Sequence, residues 1–402
     1  MSPLTRKKQV ARLALLFTLT YMVSYLTRIN FGAVISEMES DTGISRTLLS
    51  LSITGSFITY GVGQIFSGVL GDKISPKRLI SLGFAITTLM NIAIPLWTGP
   101  YLMLAAWCIN GFAQSLMWPP LVKIMTASLS DEEYTDVTIK VSWGAQIGTI
   151  LIYLVSPLLI TLSGWRAVFI FSAVSGALML VAWNRFAIDV PKSELSVPVK
   201  RGGGAKMLLS PVVFAIMLAI VLQGSLRDGI HTWTPTYISD IYGLENEISI
   251  LTGVILPIFA ILCFQATSFV YGKRIKNPVL CAGILFLGGL LSSVGLSLFT
   301  GKNAVLSLIF LALLSGFMHG VNLLLVCMVP AAFKKYGNVG AASGIINSCT
   351  YVGSAISTYG IAVLSEDLGW DLTILVWVGI ALVGASICLI CAKPWKKKFM
   401  EE

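Results

Sequence analysis

Residues 10–36 read VARLALLFTLTYMVSYLTRINFGAVIS, an apolar run that carries Arg12 near its beginning and Arg28 deep inside it. An apolar segment of about 20 residues is long enough, as a helix, to cross a hydrocarbon core roughly 30 Å thick. An arginine in mid-membrane costs about 2.5–3.5 kcal/mol on insertion scales, so it usually faces the interior of a helix bundle or a water-filled path. The stretch therefore predicts a membrane-spanning helix with a functional arginine.

The composition of the whole chain is that of a membrane protein. Of its 402 residues, 55% are hydrophobic and only 12% are charged, whereas soluble domains carry roughly 25% charged residues. The mean hydropathy is +0.83. The sequence does not show the period-2 alternation over segments of about 10 residues that is typical of membrane β-barrels. We therefore predict an all-α membrane protein.

Apolar runs of spanning length recur along the chain, and we count twelve transmembrane helices. They cover approximately residues 10–36, 48–70, 77–98, 100–127, 137–162, 165–187, 208–238, 248–271, 278–299, 303–329, 338–363 and 370–392. The first run follows a short basic tail and lacks a small-residue cleavage site, so we interpret it as a retained helix rather than a signal peptide.

Basic residues are concentrated on one side of the predicted membrane. They precede the first span, follow the second, sixth, eighth and tenth spans, and close the chain, whereas the opposite loops hold mainly acids. The positive-inside rule then places both termini in the cytoplasm. This loop bias accounts for the net charge of +9, so we do not interpret that charge as a nucleic-acid-binding surface.

The two halves of the sequence resemble each other. Arg28 and Arg227 lie 199 positions apart, each about 18 residues into its own span, and a Gly-Trp pair opens both the sixth and the twelfth span. Such correspondences predict two six-helix pseudo-repeats with a substrate site near the membrane midplane. We assign residues 1–187 and 208–402 to the two bundles, and the Pro-, Gly- and charge-rich residues 188–207 to a cytoplasmic linker.

The paired arginines predict an anion-binding site. A guanidinium presents a planar fork of donors that matches a phosphate or a carboxylate bidentately. Twofold packing of the repeats would bring Arg28 and Arg227 to a similar depth, facing each other. The alternative is that both side chains snorkel to the outer interface.

Ionisable residues near Arg227 extend this prediction. Asp228 is the carboxylate that lies well inside a span; because adjacent helical positions point about 100° apart, we expect it not to share a face with Arg227. His231 follows Arg227 by four residues and shares its face, and His319 lies near the middle of the tenth span. Each histidine is either a hydrogen-bonded structural residue or a proton-linked or phosphate-contacting one.

Other polar residues inside the spans are further candidates for substrate binding. Tyr25 precedes Arg28 by three residues, so it lies on the same face and could donate a hydrogen bond to a bound anion. Lys123 lies near the cytoplasmic end of the fourth span, where snorkelling to the interface is the alternative. The remaining candidates are Gln64, Gln146, Asn322, Asn347 and Tyr351.

Several classes of function find no support in the sequence. It has no Walker loop and no extramembrane domain large enough for an ATPase, and its cysteines lack metal-like spacing. We therefore expect neither an enzyme nor a cofactor, and transport that is driven by a gradient.

Three motifs carry a family resemblance that covers the whole chain. They are YMVSYLTRINF (Tyr21–Phe31), RDGIHTWTPTY (Arg227–Tyr237), which fits R-x-G-x-x-x-W-x-P-x-Y, and the loop GVLGDKISPKR (Gly68–Arg78). They resemble the organophosphate:phosphate antiporter family of the major facilitator superfamily. In the third motif, Gly68, Asp72 and Arg78 match the superfamily's G-x-x-x-D loop, which is associated with gating.

The resemblance implies the major facilitator fold and exchange of inorganic phosphate for a phosphorylated metabolite, such as glycerol 3-phosphate or a hexose phosphate. It also implies that Arg28 and Arg227 bind the phosphoryl group. Glycerol-phosphate and hexose-phosphate carriers have a lysine where this chain has Gln64, and the former have a histidine where this chain has Ala145. Fewer cations favour a less charged anion.

From these features we expect a monomeric, multi-pass protein of the inner (plasma) membrane that contacts lipid and a small anion but no nucleic acid. Two other functions stay open. One is a proton-coupled symporter of carboxylates or sugar acids that uses His231, His319 or Asp228. The other is a membrane sensor of sugar phosphates, because the family that the chain resembles includes such receptors.

Overall fold

A computed structural model describes residues 3–96, 99–188, 210–329, 332 and 339–400 of the chain. Within these ranges, the side chains of residues 3–5, 68–73, 123, 126, 131, 132, 134, 135, 138, 139, 246, 272 and 339–343 lie outside the description. All regular secondary structure in the described ranges is helical, which confirms the prediction of an all-α protein.

The chain divides into two compact units, Met1–Pro198 and Val199–Glu402. The described helices of the first unit are α1 (Pro3–Ala33), α2 (Ile35–Thr42), α3 (Arg46–Lys73), α4 (Pro76–Leu96), α5 (Pro100–Ser115), α6 (Trp118–Ser128), α7 (Asp131–Ser163) and α8 (Arg166–Phe186). Of the predicted linker, residues 188–207, only residue 188 lies in the described part.

The described helices of the second unit repeat much of this order. They are α9 (Pro211–Tyr242), α10 (Asn246–Thr252), α11 (Ile255–Lys273), α12 (Pro278–Phe299), α13 (Ala304–Asn322), α14 (Val339–Asp367) and α15 (Gly369–Phe399). A short π-helix, π1 (Leu323–Met328), continues α13 directly.

Ten helical segments within the described residues are long and apolar enough to cross a membrane. They match ten of the twelve predicted spans; the two others are the fourth, residues 100–127, and the eleventh, residues 338–363. The number of twelve and the cytoplasmic position of both termini therefore stay predictions.

The fourth predicted span is not one continuous helix, because it is interrupted between α5 and α6. Pro119 and Pro120 lack the N–H groups that would bond the carbonyls of Ser115 and Leu116. Before the prolines, Leu116 and Met117 donate to Ala113 and Gln114, a tighter three-residue spacing. The prediction of a single helix was wrong here, although the sequence contains the prolines that explain the break.

Glycines allow one pair of helices in each unit to approach closely. A side chain at Gly148 of α7 would meet the carbonyl of Met22 on α1, and one at Gly353 of α14 would meet the carbonyl of Val221 on α9. Small residues that bring backbones together are typical of helix packing in membranes. The two glycines lie 205 positions apart, so both units use the same contact at corresponding places.

A tryptophan–aspartate hydrogen bond also recurs in each unit. Trp165 Nε1 donates to Asp41 Oδ2 at 2.8 Å, and Trp370 Nε1 donates to Asp240 Oδ2 at 2.9 Å. In the first unit Arg166 adds an ion pair with Asp41 at 3.0 Å. Together Trp165 and Arg166 hold the pKa of Asp41 below its ordinary value. Each bond ties the end of a helix, α2 in the first unit and α9 in the second, to the beginning of the last helix of its unit.

An ion pair joins the beginnings of α1 and α7. Ser130 caps α7, with Glu133 completing a reciprocal capping box. Arg6 donates to both carboxylate oxygens of Glu133, at 3.0 and 2.5 Å, and to the carbonyl of Ser128 at 2.9 Å. These bonds favour the charged carboxylate, and the pKa of Glu133 falls from 4.5 to about 2.

The Glu133 pair predicts a pH dependence of stability. Because the pKa is lower in the folded protein, the stabilisation is complete above pH 4.5 and is lost as the pH falls towards about 2. We expect the melting temperature of the wild type to fall more steeply across this window than that of Glu133→Gln. Arg6→Gln should flatten the curve in the same way. Parallel melting curves for all three proteins would contradict the assignment.

The contact at Gly353 predicts a local packing cost. In Gly353→Ala the new Cβ would also lie 2.9 Å from the Ser225 nitrogen, and overpacking of this kind costs roughly 1–3 kcal/mol. Gly360→Ala is the matched control, because it lies on the same helix with no atom within 4 Å of the added Cβ. Thermal unfolding in detergent should show a lower melting temperature for the first variant only; equal melting temperatures would contradict the close contact.

Candidate functional site

Arg28 lies half-buried on α1 and contacts two tyrosine rings. Its guanidinium carbon is 4.3 Å from the ring centroid of Tyr25 and 5.1 Å from that of Tyr60. A cation within about 6 Å of an aromatic centroid is attracted by the ring quadrupole. The prediction that Tyr25 shares a face with Arg28 is confirmed, and the contact is made by the ring. Tyr60 on α3 was missed by the sequence analysis, which had no means of pairing α3 with α1.

A buried polar network holds the helix turn that precedes Arg28. Gln114 of α5 accepts a hydrogen bond from Ser24 at 2.7 Å and donates to Thr27 at 2.9 Å and to Thr87 at 3.0 Å. The side chains in the network are at most 2% exposed: Ser24, Thr27, Asn30, Thr87, Asn91, Asn110 and Gln114. Polar groups in a membrane interior need internal partners. The network therefore fixes α1 against α4 and α5 and sets the position of Arg28 along its helix.

Gln64 lies one turn after Tyr60 on α3 and is only 7% exposed. Within the described part of the chain, its Nε2 atom has no hydrogen-bond acceptor. Buried polar atoms in folded proteins nearly always have a hydrogen-bond partner. The amide is therefore a candidate donor to a substrate, at the position where the sequence resemblance expected a lysine.

Gln146 lies on a side of α7 other than the one that packs on α1. Gly148 of α7 faces α1, since a Cβ added there would lie 3.2 Å from Tyr25 Cβ. Positions two apart on a helix point to different sides, so the half-buried Gln146 points away from the α1-facing side. Ala145, where glycerol-phosphate carriers have a histidine, is buried.

Four further predicted residues belong to α3, α4 and α6 of the first unit. Gly68 and Asp72 belong to the last turns of α3, and Lys123 belongs to α6, but their side chains lie outside the described residues. Arg78 is exposed on the first turn of α4, where its backbone N–H donates to the Ser75 hydroxyl at 3.4 Å. The gating prediction for this loop therefore stays a prediction.

Arg227 of α9 pairs with the residue that follows it. Its Nε donates to Asp228 Oδ1 at 2.7 Å and its Nη2 donates to Asp228 Oδ2 at 2.8 Å, while Nη1 donates to Asn322 Oδ1 at 2.9 Å. The sequence analysis placed Arg227 and Asp228 on different helix faces and did not predict this pair. The Cβ atoms do point apart, but the long arginine side chain bends around the helix to reach the carboxylate.

The Asp228 carboxylate is held from a second helix as well. Ser354 Oγ of α14 donates to Asp228 Oδ2 at 2.5 Å. The side chains of Arg227 and Asp228 are only 14% and 18% exposed. Removing one partner of a buried ion pair leaves an uncompensated charge, at a cost of about 3–5 kcal/mol. The feature of the sequence that could have predicted this pair is the carboxylate directly beside the intramembrane arginine. No feature of the sequence indicated the role of Ser354.

The two histidines belong to the same region of the second unit. His231 lies one turn after Arg227, and His319 lies one turn before Asn322, which bonds Arg227. Both histidines are close enough to interact electrostatically with Arg227 and Asp228. His319 Nδ1 donates to the Ser315 carbonyl at 2.9 Å; because a carbonyl only accepts, Nδ1 carries the proton.

Two further candidates lie on the α14 face that Ser354 presents to Asp228. Tyr351 precedes Ser354 by three residues and Asn347 precedes it by seven, spacings that share one helix face. Both side chains are half-buried. The second unit therefore gathers Arg227, Asn322 and this face of α14 around one carboxylate.

Helix α13 changes geometry directly after the residue that bonds Arg227. Asn322 ends α13, and the π-helix π1 begins at Leu323. Single π-turns inside α-helices occur frequently at functional sites. This change of geometry was not detectable from hydrophobic periodicity.

A model of the Major Facilitator Superfamily matches residues 17–291 of the chain. A probable hexose phosphate transport protein of Chlamydia muridarum is 24% identical over 87% of this chain and 84% of that protein. The membrane sensor protein UhpC of Escherichia coli is 21% identical over 88% and 85%, respectively. The glycerol-3-phosphate transporter of Bacillus subtilis is 23% identical over 92% and 88%. These relatives confirm the resemblance to the organophosphate:phosphate antiporter family.

Among solved structures, the crystal structure of a bacterial homolog to the human lysosomal transporter Spinster has a TM-score of 0.83 at 13% identity, and the match covers 99% of both chains. At this identity the likeness concerns the fold alone. The apolar helices and the bacterial relatives confirm a multi-pass protein of the inner membrane. The family model covers well over half of the sequence, and the protein therefore belongs to the Major Facilitator Superfamily.

Proposed function

We propose that this protein exchanges a phosphorylated metabolite, such as glycerol 3-phosphate or a sugar phosphate, for inorganic phosphate by alternating access. The observation that carries the proposal is the pair of half-buried arginines, Arg28 and Arg227, at corresponding positions of two membrane-spanning helices. The printed names of the relatives, which include hexose phosphate and glycerol-3-phosphate transporters, support the same substrate class.

In this proposal Arg28 and Arg227 bind the phosphoryl oxygens. A phosphate monoester carries about −1.5 to −2 charges near neutral pH and offers three acceptor oxygens, which suit bidentate guanidinium donors. The other proposed substrate-binding residues are Tyr25, Gln64, Lys123, Gln146, His231, His319, Asn347 and Tyr351. The proposal further includes twelve transmembrane helices in two six-helix bundles, cytoplasmic termini and a monomer in lipid.

The charge of the substrate gives a reason for exchange. Enclosing an uncompensated guanidinium in a low-dielectric interior is unfavourable. A bound anion offsets that charge, so the loaded carrier reorients more readily than the empty one. Phosphate and a phosphate ester both meet this condition, and each can therefore return the carrier after the other has left it.

Two observations favour other functions. Asp228 lies close to His231 and His319, a grouping that suits proton-coupled symport of a carboxylate or sugar acid. The similarity to the membrane sensor UhpC favours a receptor that binds a sugar phosphate without moving it. Exchange measurements distinguish the three, because only the antiporter releases internal phosphate in response to an external ester.

Exchange in proteoliposomes tests the proposal. Vesicles loaded with radiolabelled phosphate should release the label when glycerol 3-phosphate or a sugar phosphate is added outside, and matched carboxylates should not cause release. Arg28→Lys and Arg227→Lys keep the charge but lose the planar fork, so we expect each to lower the rate of exchange at least a hundredfold, which corresponds to about 2.7 kcal/mol.

The control for these variants is Arg166→Lys, which makes the same change where the arginine pairs with Asp41 at the end of α2. We expect this variant to retain exchange. Wild-type exchange by Arg28→Lys would contradict bidentate binding, and the absence of release with any phosphate ester would contradict the antiporter.

The contacts of Arg28 predict which part of Tyr60 matters. If the ring face stabilises the guanidinium, Tyr60→Phe should keep most of the exchange activity, whereas Tyr60→Leu should lose about threefold to tenfold, within the roughly 0.5–2 kcal/mol that such a contact contributes. Initial rates at saturating and limiting ester measure the effect. Equal losses in the two variants would show that the hydroxyl, rather than the ring, is required.

A further inference from the structure

Asp228 already neutralises the arginine that the proposed function assigns to the substrate. The carboxylate binds the Nε and Nη2 atoms of Arg227 at 2.7 and 2.8 Å, and Asn322 accepts from Nη1. The pair carries no net charge, and both side chains are largely buried. An anion that approaches Arg227 therefore meets a competing anion at the same guanidinium.

We propose that Asp228 is a specificity-determining residue that takes up one proton when an anion binds Arg227. This inference rests on the proposed function, and it adds that each anion is bound together with a proton. In the step, the carboxylate gives up its two bonds to the guanidinium, a proton from the solution binds one Asp228 oxygen, and the anion takes the guanidinium donors. The charge of Arg227 does not change.

Electrostatics gives the reason for the proton. Two negative groups that share one site repel each other, and the usual result is that one of them becomes protonated. Burial strengthens this repulsion because the surroundings screen it weakly. Protonation of Asp228 removes the repulsion and leaves the positive charge of Arg227 for the anion.

The contacts of Ser354 suit both protonation states of Asp228. The hydroxyl lies 2.5 Å from Asp228 Oδ2 and 2.9 Å from the carbonyl of Thr350, but it has one hydrogen to donate. With the carboxylate, Ser354 donates to Asp228. With the protonated acid, Ser354 can donate to Thr350 and accept from Asp228. Neither state leaves this buried hydroxyl without a partner, so no rearrangement of the helices is needed.

Other titratable groups surround the pair and must be separated from it by experiment. On α9 and α13 they are His231 and His319, which interact with both members of the pair. Cys327 of π1 interacts with Arg227. On α14, the titratable side chains in the described segment near Ser354 are Cys349 and Tyr351. The charged residues of α10 and α15 lie towards the helix ends, at Glu247, Asp371, Lys393, Lys396, Lys397 and Lys398.

The test measures anion affinity against pH by calorimetric titration of the purified full chain with inorganic phosphate, glycerol 3-phosphate and gluconate. Phosphate esters themselves titrate near pH 6. The pH dependence of affinity measured with Asp228→Asn is therefore the contribution of the substrate alone. If binding takes up one proton, the affinity falls about tenfold for each unit by which the pH rises. We expect the affinity of the wild type to fall more steeply with pH than that of Asp228→Asn, by this amount. Asp240→Asn, a carboxylate on the same helix bonded to Trp370, is the matched control and should follow the wild type.

A spectroscopic measurement covers the case in which Asp228→Asn does not fold. Infrared difference spectra of the wild type should show a protonated-carboxyl band that appears when an anion binds. In Asp228→Glu the band should persist at a shifted position, because the acid is kept. The absence of any such band in the wild type would overturn the proposal, as would a pH slope that is lost in His231→Gln or His319→Gln but kept in Asp228→Asn.

The outcomes separate this inference from the proposed function. Proton-linked binding of gluconate alone would contradict phosphate exchange and support the role of Asp228. Phosphate binding with equal pH slopes in the wild type and Asp228→Asn would support phosphate exchange and overturn the role of Asp228. Binding of none of the three anions would contradict both.

Discussion

The bidentate pair between Arg227 and Asp228 is the interaction on which the chemistry of the second unit depends. A guanidinium inside a membrane-spanning helix is tolerated only if charge and hydrogen bonds compensate it. Here the compensation comes from the next residue, and then from Asn322 on α13 and Ser354 on α14. The pair therefore links three helices, and any anion that uses Arg227 must compete with a partner already in place.

In the first unit, the charge of Arg28 is stabilised by different contacts. The residue that follows Arg28 is Ile29, so no carboxylate stands at the position of Asp228. The guanidinium contacts the rings of Tyr25 and Tyr60 instead, and a buried polar network fixes the preceding turn. Aromatic faces attract a cation without removing its net charge. The two arginines are thus equivalent in sequence position but different in electrostatic character.

Much of this arrangement could be predicted from the sequence. Apolar length gave ten spans that the structure contains. The 199-residue offset identified the two arginines, and the Gly-Trp pair that recurs at an offset of 205 marked the tryptophans whose bonds to aspartate the structure shows in both units. Sequence patterns did not predict contacts that depend on the reach of a long side chain or on which helices are neighbours. Helical angles did not reveal the pair of Arg227 and Asp228, because they describe Cβ directions rather than the reach of a side chain. Tyr60 and Ser354 were missed because their roles depend on which helices are neighbours.

We infer that a substrate anion replaces Asp228 on the Arg227 guanidinium. An experimental structure of the protein with glycerol 3-phosphate bound, at a resolution that defines side chains, tests it most directly. We predict phosphoryl oxygens within hydrogen-bonding distance of the Arg227 fork, with the Asp228 carboxyl turned towards Ser354 and no longer bidentate to Arg227. An ester bound elsewhere, with the Arg227–Asp228 pair intact at 2.7 and 2.8 Å, would contradict this replacement.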